Sequence, residues 1–388
     1  PPLGQAVERK DRLVEELRQA KYVNLLDLYG IELRNGRAQL LDGHTVAVDG
    51  ERLTADVILI ATGAQPAAPP IDGLAQVGYL TSTTALELTE PPRRLAVIGA
   101  NAVGLELGQL FGKFGSQVTF IEMARVAPAE EPELAARLRE LLVREGHEVI
   151  ERATAQRVTK KGGGVVIEGV VGREPFAVEV DRILVATGRL PNSAGLGLEQ
   201  VGVETDGRGA IVVDSHQRTS VPSIYAAGDV TNQPQFVYVA AAGGTAAVEN
   251  AFDGAARELD LETLPRVTFT SPQLAAAGLT ESQARQRGIE VATSLLGLEA
   301  VPRAVVEGAT DGLVKLVAER DSGRLLGGSM LAPNAGDVIQ AVVYALKAGF
   351  ATTDLATSWS PYLTLAEALK LAAQGFAKDV ATLSCCAA

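Results

Sequence analysis

From Glu8 to Leu28 apolar residues recur at helical spacing, with Leu13, Leu17 and Ala20 on one face and Gly30 beyond. That pattern predicts a helix stopped at the glycine, with Tyr22 near its end. Short alternating strands follow around His44–Val48, and then the unbroken apolar run Val57-Ile58-Leu59-Ile60-Ala61 ends in Thr62-Gly63. Gln65 to Gly73 is rich in proline and reads as a linker. A second apolar run, Leu95-Ala96-Val97-Ile98, leads through a turn over Gly99 to Gly104 into a helix over Leu105 to Phe114. The strand Val118-Thr119-Phe120-Ile121-Glu122 completes a βαβ unit. A helix over Pro132 to Glu145, a strand at Glu148-Val149-Ile150 and a hairpin region around Gly162–Val180 come next. Ile183-Leu184-Val185-Ala186 then ends in Thr187-Gly188, and Ser223-Ile224-Tyr225-Ala226-Ala227 ends in Gly228-Asp229.

From Pro265 the pattern becomes α+β, with strands at Val267–Phe269, Gly312–Ala318 and Leu325–Leu331 and helices at Ala335–Ala348 and Leu365–Phe376. An apolar strand ending Ala-Thr-Gly occurs twice, at 61–63 and 186–188, which points to two nucleotide-binding modules of related design. The predicted fold is α/β: two Rossmann-like modules and a C-terminal α+β domain. The expected boundaries are 1–90 and 191–262 for one module, 91–190 for the other, and 263–388 for the last domain.

Composition narrows the partners. Apolar residues make up 47% of the 388, enough for a globular core. A net charge of −12 disfavours nucleic acid and anionic membrane surfaces. No apolar run reaches the roughly 20 residues of a membrane span, and the first residues carry no signal-peptide pattern. A cytoplasmic enzyme is expected.

Gly99-Ala100-Asn101-Ala102-Val103-Gly104 follows a strand and opens a helix, where backbone N–H groups and the positive helix end can meet a pyrophosphate. Asn101 replaces one glycine of the pattern. Asn tolerates left-handed backbone better than other non-glycine residues, so the turn is expected to survive. Glu122 ends the next strand about 20 residues on, where an acid accepts from a ribose 2′-OH and repels a 2′-phosphate. NADH is thereby favoured over NADPH, although Arg125 could receive that phosphate instead.

The matching stretches Val97 through Glu106, Ala186-Thr187-Gly188-Arg189-Leu190-Pro191-Asn192, Thr219 through Val230, and Arg266 through Pro272 resemble the pyridine nucleotide–disulfide oxidoreductases. The likeness covers nearly all of the chain. It implies that Asp229 hydrogen-bonds the FAD ribityl chain, that Gly228 lets the flavin chain pass, and that the N-terminus of a helix near Val237 faces the flavin. Thr62, Gly63 and Gly188 fall at cofactor-binding turns. Glu106 resembles a glutamate beneath the flavin that pairs with a lysine; an exposed helix carboxylate is its plain alternative. The region from Pro265 resembles a dimerisation domain, implying a homodimer.

The acceptor side carries the finer distinction. Where disulfide reductases place His-Pro, with a Glu four residues after the proline, this chain has Ser360-Pro361 and Leu365. Its three histidines, His44, His147 and His216, lie elsewhere. No histidine is placed to protonate a thiol leaving group. Cys385 and Cys386 are adjacent and are the only cysteines of the chain. Neighbouring thiols close no useful loop but suit a soft metal ion. With Pro361-Tyr362-Leu363-Thr364 they resemble the mercuric reductase branch. That likeness implies uptake of Hg(II) by the tail, delivery across subunits, and an inner site lined by Tyr22 and Tyr362. Taken alone, both tyrosines read as half-buried packing groups and the tail as a frayed end. The family's FAD glycine fingerprint and Cys-x4-Cys pair are expected upstream of Pro1, with this chain as part of a longer enzyme. The alternatives are a relative acting on a quinone, oxygen or a disulfide, and a non-catalytic nucleotide-binding paralogue that dimerises.

Overall fold

The computed structural model describes residues 2–379; Cys385 and Cys386, the expected metal ligands, lie outside the described residues. The chain forms two compact units, one from the residues up to Ala68 with Gly188–Asp260, the other from Pro69–Thr187 with Leu261 onward. Each is assembled from separate stretches of sequence.

In the first unit the helix Leu3–Arg18 passes through a wider π-turn at Gln19–Val23 into the helix Asn24–Tyr29. It begins five residues earlier than periodicity implied. Gly30 ends it at φ 65°, the left-handed conformation that glycine supplies without Cβ strain. Three antiparallel strands follow in sequence order, Ala38–Leu40, Thr45–Val48 and Glu51–Thr54. Ile58–Ile60 pairs in parallel with Ile224–Ala226, so the two apolar runs lie side by side. Ile60, Ile211, Ile224, Ala226 and Val230 bury against one another as the core. Within the proline-rich stretch expected to be a linker, Ala64–Pro66 forms a strand against Arg189–Pro191. Proline is tolerated there because the pair has two strands and each is an edge.

In the second unit, Arg182–Val185, Arg94–Ile98, Gln117–Ile121 and Glu148–Ile150 lie in that order in a four-stranded parallel sheet. Strands buried on both faces need no alternation, which explains the continuous apolar run at 95–98. The order reverses between Arg94–Ile98 and Arg182–Val185, and such a switch point opens a crevice at the strand ends. The hairpin region is a three-stranded meander, Ala153–Lys161, Gly164–Val171 and Glu174–Val180. The C-terminal sheet is antiparallel and five-stranded, covered by Ala335–Ala348 and Glu367–Gln374. Two of its strands, Gln273–Gly278 and Val291–Gly297, had no distinct sequence signal.

One buried charge cluster ties the helix Pro132–Arg144 to that sheet. Lys315 Nζ, on a side chain only 2% exposed, lies 2.9 Å from Glu131, 2.8 Å from Glu133 and 2.9 Å from Glu281. Burial opposes its charge, but the hydrogen bonds it donates to Glu133, Glu281 and Glu131 win and raise its pKa. Glu281 is correspondingly held below its ordinary value, first by Lys315 and then by Arg285. Removing the lysine leaves the buried Glu131 charged without its cation and sets three carboxylates against one another. Lys315→Met is expected to cost about 3–5 kcal/mol of stability. Guanidinium unfolding at neutral pH checks this, and an unchanged midpoint contradicts it. Acid adds a sign: the stability contributed by Glu281 is complete above its ordinary pKa of 4.5 and is lost below it in the parent.

Candidate active site

The nucleotide turn is built by close approach. Gly99 has φ 99°, and a Cβ there would stand 2.5 Å from the Ala186 carbonyl oxygen. At Gly104 a Cβ would lie 1.9 Å from the Gly99 carbonyl, so only glycine lets the helix Ala102–Lys113 begin against the turn. Gly108 repeats the device one turn on, against the Phe120 ring. Asn101 departs from expectation: its backbone is extended, φ −100° and ψ −171°, and it occupies the helix N-cap. The left-handed residue of this turn is Gly99. Asn101 sits at the N-cap without a side-chain cap hydrogen bond, and no left-handed tolerance is required of it.

The Glu122 carboxylate accepts from Ala100 N at 2.7 Å and Ala124 N at 2.9 Å, pinning the turn to the end of the second strand. Arg125, the alternative receiver of a 2′-phosphate, is committed elsewhere. Its guanidinium donates to the carbonyls of Val126, Ala127, Pro128 and Glu130 and braces its own loop. Glu106 lies along the same helix and accepts from Phe269 N at 2.7 Å. Burial raises its pKa against that hydrogen bond. It is thus a half-buried carboxylate whose partner is a backbone amide, and neither alternative drawn from sequence described that.

In the first unit the expected FAD residues form a second cradle. Gly228, at φ 77°, opens the turn after Ile224–Ala226, and a Cβ there would press to 3.1 Å from Ala240 Cβ. Gly63 at φ 67° and Gly188 at φ 120° face open space. Thr62 and Asn192 lock these turns together: Thr62 Oγ1 donates to Asn192 O at 2.8 Å, and Asn192 Nδ2 donates to Thr62 O at 2.9 Å. Val237 is the exposed first residue of the helix Val237–Phe252, whose N-terminal amides favour negative charge. Asp229 lies 3.6 Å from Arg189 Nε. That nitrogen is buried with no hydrogen-bond acceptor among the described residues, and sequence reasoning gave Arg189 no role. An orphaned guanidinium N–H beside a carboxylate, two open glycine turns and a free helix N-terminus fit a polyhydroxyl, phosphate-bearing chain such as that of FAD.

Neither tyrosine is buried among the described residues. Tyr22 is 72% exposed in the first unit and Tyr362 is 61% exposed in the second. Tyr362 precedes Leu363, which holds φ 64°, and Thr364 Oγ1 ties the loop to Pro361 O at 2.9 Å. Glu367, just beyond, has a buried oxygen without a partner among the described residues, and burial raises its pKa. Among the described residues no group of three His, Cys, Asp or Glu could hold a metal ion, and no helix is long and apolar enough to cross a membrane.

A nucleotide-type cradle in each unit and an antiparallel C-terminal sheet define the architecture of a two-nucleotide flavoprotein. Residues 3–244 match the pyridine nucleotide-disulphide oxidoreductase family and residues 264–373 match its dimerisation domain. The chain belongs to that family. A mercuric reductase of Streptomyces lividans is 50% identical over 98% of this chain and 81% of its own length. One of Staphylococcus aureus is 46% identical over 99% of this chain and 71% of its own. The HOCl-induced flavoprotein disulfide reductase RclA of Escherichia coli superposes with a TM-score of 0.87 at 31% identity, over 95% of this chain and 85% of that one. LpdA of Mycobacterium tuberculosis gives 0.86 at 29%, over 96% and 83%.

The closeness at Gly104 makes a test. Gly104→Ala places a methyl group on a backbone oxygen that no rotamer can move. The helix start is expected to shift, costing about 1–3 kcal/mol and weakening nicotinamide binding at least tenfold. Titration of the protein with NADH checks this; unchanged affinity contradicts the close-approach account.

Proposed function

We propose that the protein reduces Hg(II) to Hg(0) with NADH through bound FAD, and that it serves mercury detoxification in the cytoplasm. The observation carrying this is the identity of 44–50% to mercuric reductases over nearly the whole chain. The Ser360-Pro361-Tyr362 stretch and the two tail cysteines agree with it. Bound FAD supplies the transfer of reducing equivalents from the nicotinamide towards the acceptor. The chain's own residues bind and orient. The Gly99–Gly104 turn receives the nicotinamide cofactor's pyrophosphate. Glu122 faces its ribose, and Arg189, Asp229 and the first amides of the helix Val237–Phe252 hold the flavin chain.

NADH is preferred in this reading because Arg125 spends its donors on backbone carbonyls. A 2′-phosphate would meet Glu122 uncompensated. Like charges about 4 Å apart near a protein surface repel by roughly 4 kcal/mol. On the acceptor side, reducing a metal ion needs soft ligands and no proton donor to a leaving thiol. Cys385 and Cys386 take up Hg(II), and Tyr22 and Tyr362 line the site to which it is passed. The inner dithiol lies outside these 388 residues, whose two cysteines are both in the tail. A homodimer built through the dimerisation domain lets one subunit's tail serve its partner's site. The residues up to Ala68 with Gly188–Asp260 make the FAD module, where 1–90 with 191–262 was expected from sequence, and Pro69–Thr187 the nicotinamide module, where 91–190 was expected.

A mercury-dependent NAD(P)H oxidation assay, with light scattering beside it, tests the reading on the full-length protein. Mercury-dependent oxidation is expected with NADH at least tenfold more efficiently than with NADPH. Cys385→Ala with Cys386→Ala is expected to lower the rate at limiting mercury and to spare it at saturation. A flat response to mercury, or a double variant indistinguishable from the parent at limiting mercury, contradicts the assignment. Light scattering showing a monomer at micromolar concentration contradicts delivery across subunits.

A further inference from the structure

The helix that carries Tyr22 is wound differently where the tyrosine sits. Residues 19–23 form a π-turn between two α-helical segments, and such single turns inside helices concentrate at functional sites. A π-turn accommodates one residue more than the α-helix around it. Unwinding it to α would rotate everything beyond by about 100°, the angle one residue subtends at 3.6 residues per turn. Tyr22, inside the turn, would change its direction.

Nothing in the composition Gln-Ala-Lys-Tyr-Val demands this winding, so something local must hold it. The same two residues close the turn twice. The backbone N–H of Asn24 donates to the Gln19 carbonyl, five residues back, which is the π hydrogen bond itself. In the opposite sense Gln19 Nε2 donates to Asn24 Oδ1 at 2.7 Å. Side chains five residues apart do not meet on an α-helix, where neighbours are three or four apart. The amide bridge therefore exists only when the turn is π. Both side chains are exposed and otherwise available to solvent, so packing does not impose the contact.

We infer that Gln19 and Asn24 form a side-chain clamp that holds the helix in its π-wound form and thereby aims the Tyr22 phenol at incoming Hg(II). Gln19 and Asn24 are positioning residues; neither touches the ion. The inference rests on the reading of Tyr22 as part of the mercury site. It explains why the tyrosine stands exposed on a stretch of helix that offers it little packing.

Gln19→Met and Asn24→Leu remove the bridge while keeping side-chain length or bulk and good helix propensity. Gln19→Glu and Asn24→Asp retain it, since each can still pair with the remaining amide. In the full-length protein, Gln19→Met and Asn24→Leu are expected to raise the KM for Hg(II) about two- to fivefold, the worth of one exposed neutral hydrogen bond. The KM for NADH is expected to stay put, and Gln19→Glu and Asn24→Asp to restore the parent values. Hydrogen–deuterium exchange of the peptide spanning 19–29 is expected to change in the two bridge-breaking variants and to return in the two conservative ones. Tyr22→Phe separates the layers. If Tyr22→Phe raises the KM for Hg(II) and the bridge-breaking variants leave both KM and exchange unaltered, the clamp is wrong and the tyrosine reading stands. If Tyr22→Phe itself has no effect, the tyrosine reading fails and the aiming role fails with it, whatever the exchange shows.

Discussion

The nicotinamide module depends on a contact in which a side chain is missing. The helix Ala102–Lys113 can start against the Gly99 carbonyl because position 104 has no Cβ. The helix end is thereby brought to the crevice at the switch in strand order, where a pyrophosphate can accept from its free amides. Glu122 then fastens the turn from the next strand through Ala100 N. The carboxylate that reads the ribose in the proposed function is thus the same one that shapes the turn. In that proposal, cofactor choice and turn geometry are coupled through one side chain.

A second constraint is electrostatic. Three carboxylates converge on a buried lysine, and two of them come from the segment before and within the helix Pro132–Arg144 while the third lies beyond the first strands of the C-terminal sheet. Glu131 further accepts from Glu281 N at 2.7 Å, so its oxygens are satisfied by both a cation and an amide. Arg266 with Glu130 and Arg144 with Asp311 add paired charges between the same two stretches. Burial alone would not select one arrangement of two apolar surfaces. Charges that must find particular partners do, since each mispairing leaves an ion desolvated.

Much of this was legible in the chain because the informative signals are local. Glycine spacing after an apolar strand, Glu122 at the end of the next, and paired Ala-Thr-Gly turns marked the strand ends and turns that the structure shows at those positions. The helices Pro132–Arg144 and Ala335–Ala348 fell within a residue of their periodicity because each buries one apolar stripe. What escaped was decided by partners distant in sequence. The strand Ala64–Pro66 exists only because Arg189–Pro191 returns to it, and no pattern within Gln65 to Gly73 announces that. Gln273–Gly278 is alanine-rich and interior beyond its first residue, a composition that reads equally well as helix. Arg125 was open to either role until its carbonyl partners were visible. The π-turn at Tyr22 is invisible to a 3.6-residue period, which it interrupts.

The central claim is that electrons drawn from NADH at these cradles end on mercury. Collecting volatile Hg(0) from full-length protein supplied with NADH and Hg(II), while following NADH loss, measures it directly. The two-electron balance, Hg(II) with NADH giving Hg(0), NAD⁺ and a proton, predicts one equivalent of mercury vapour per NADH consumed. NADH loss matched by oxygen uptake, with no vapour released, would contradict the account.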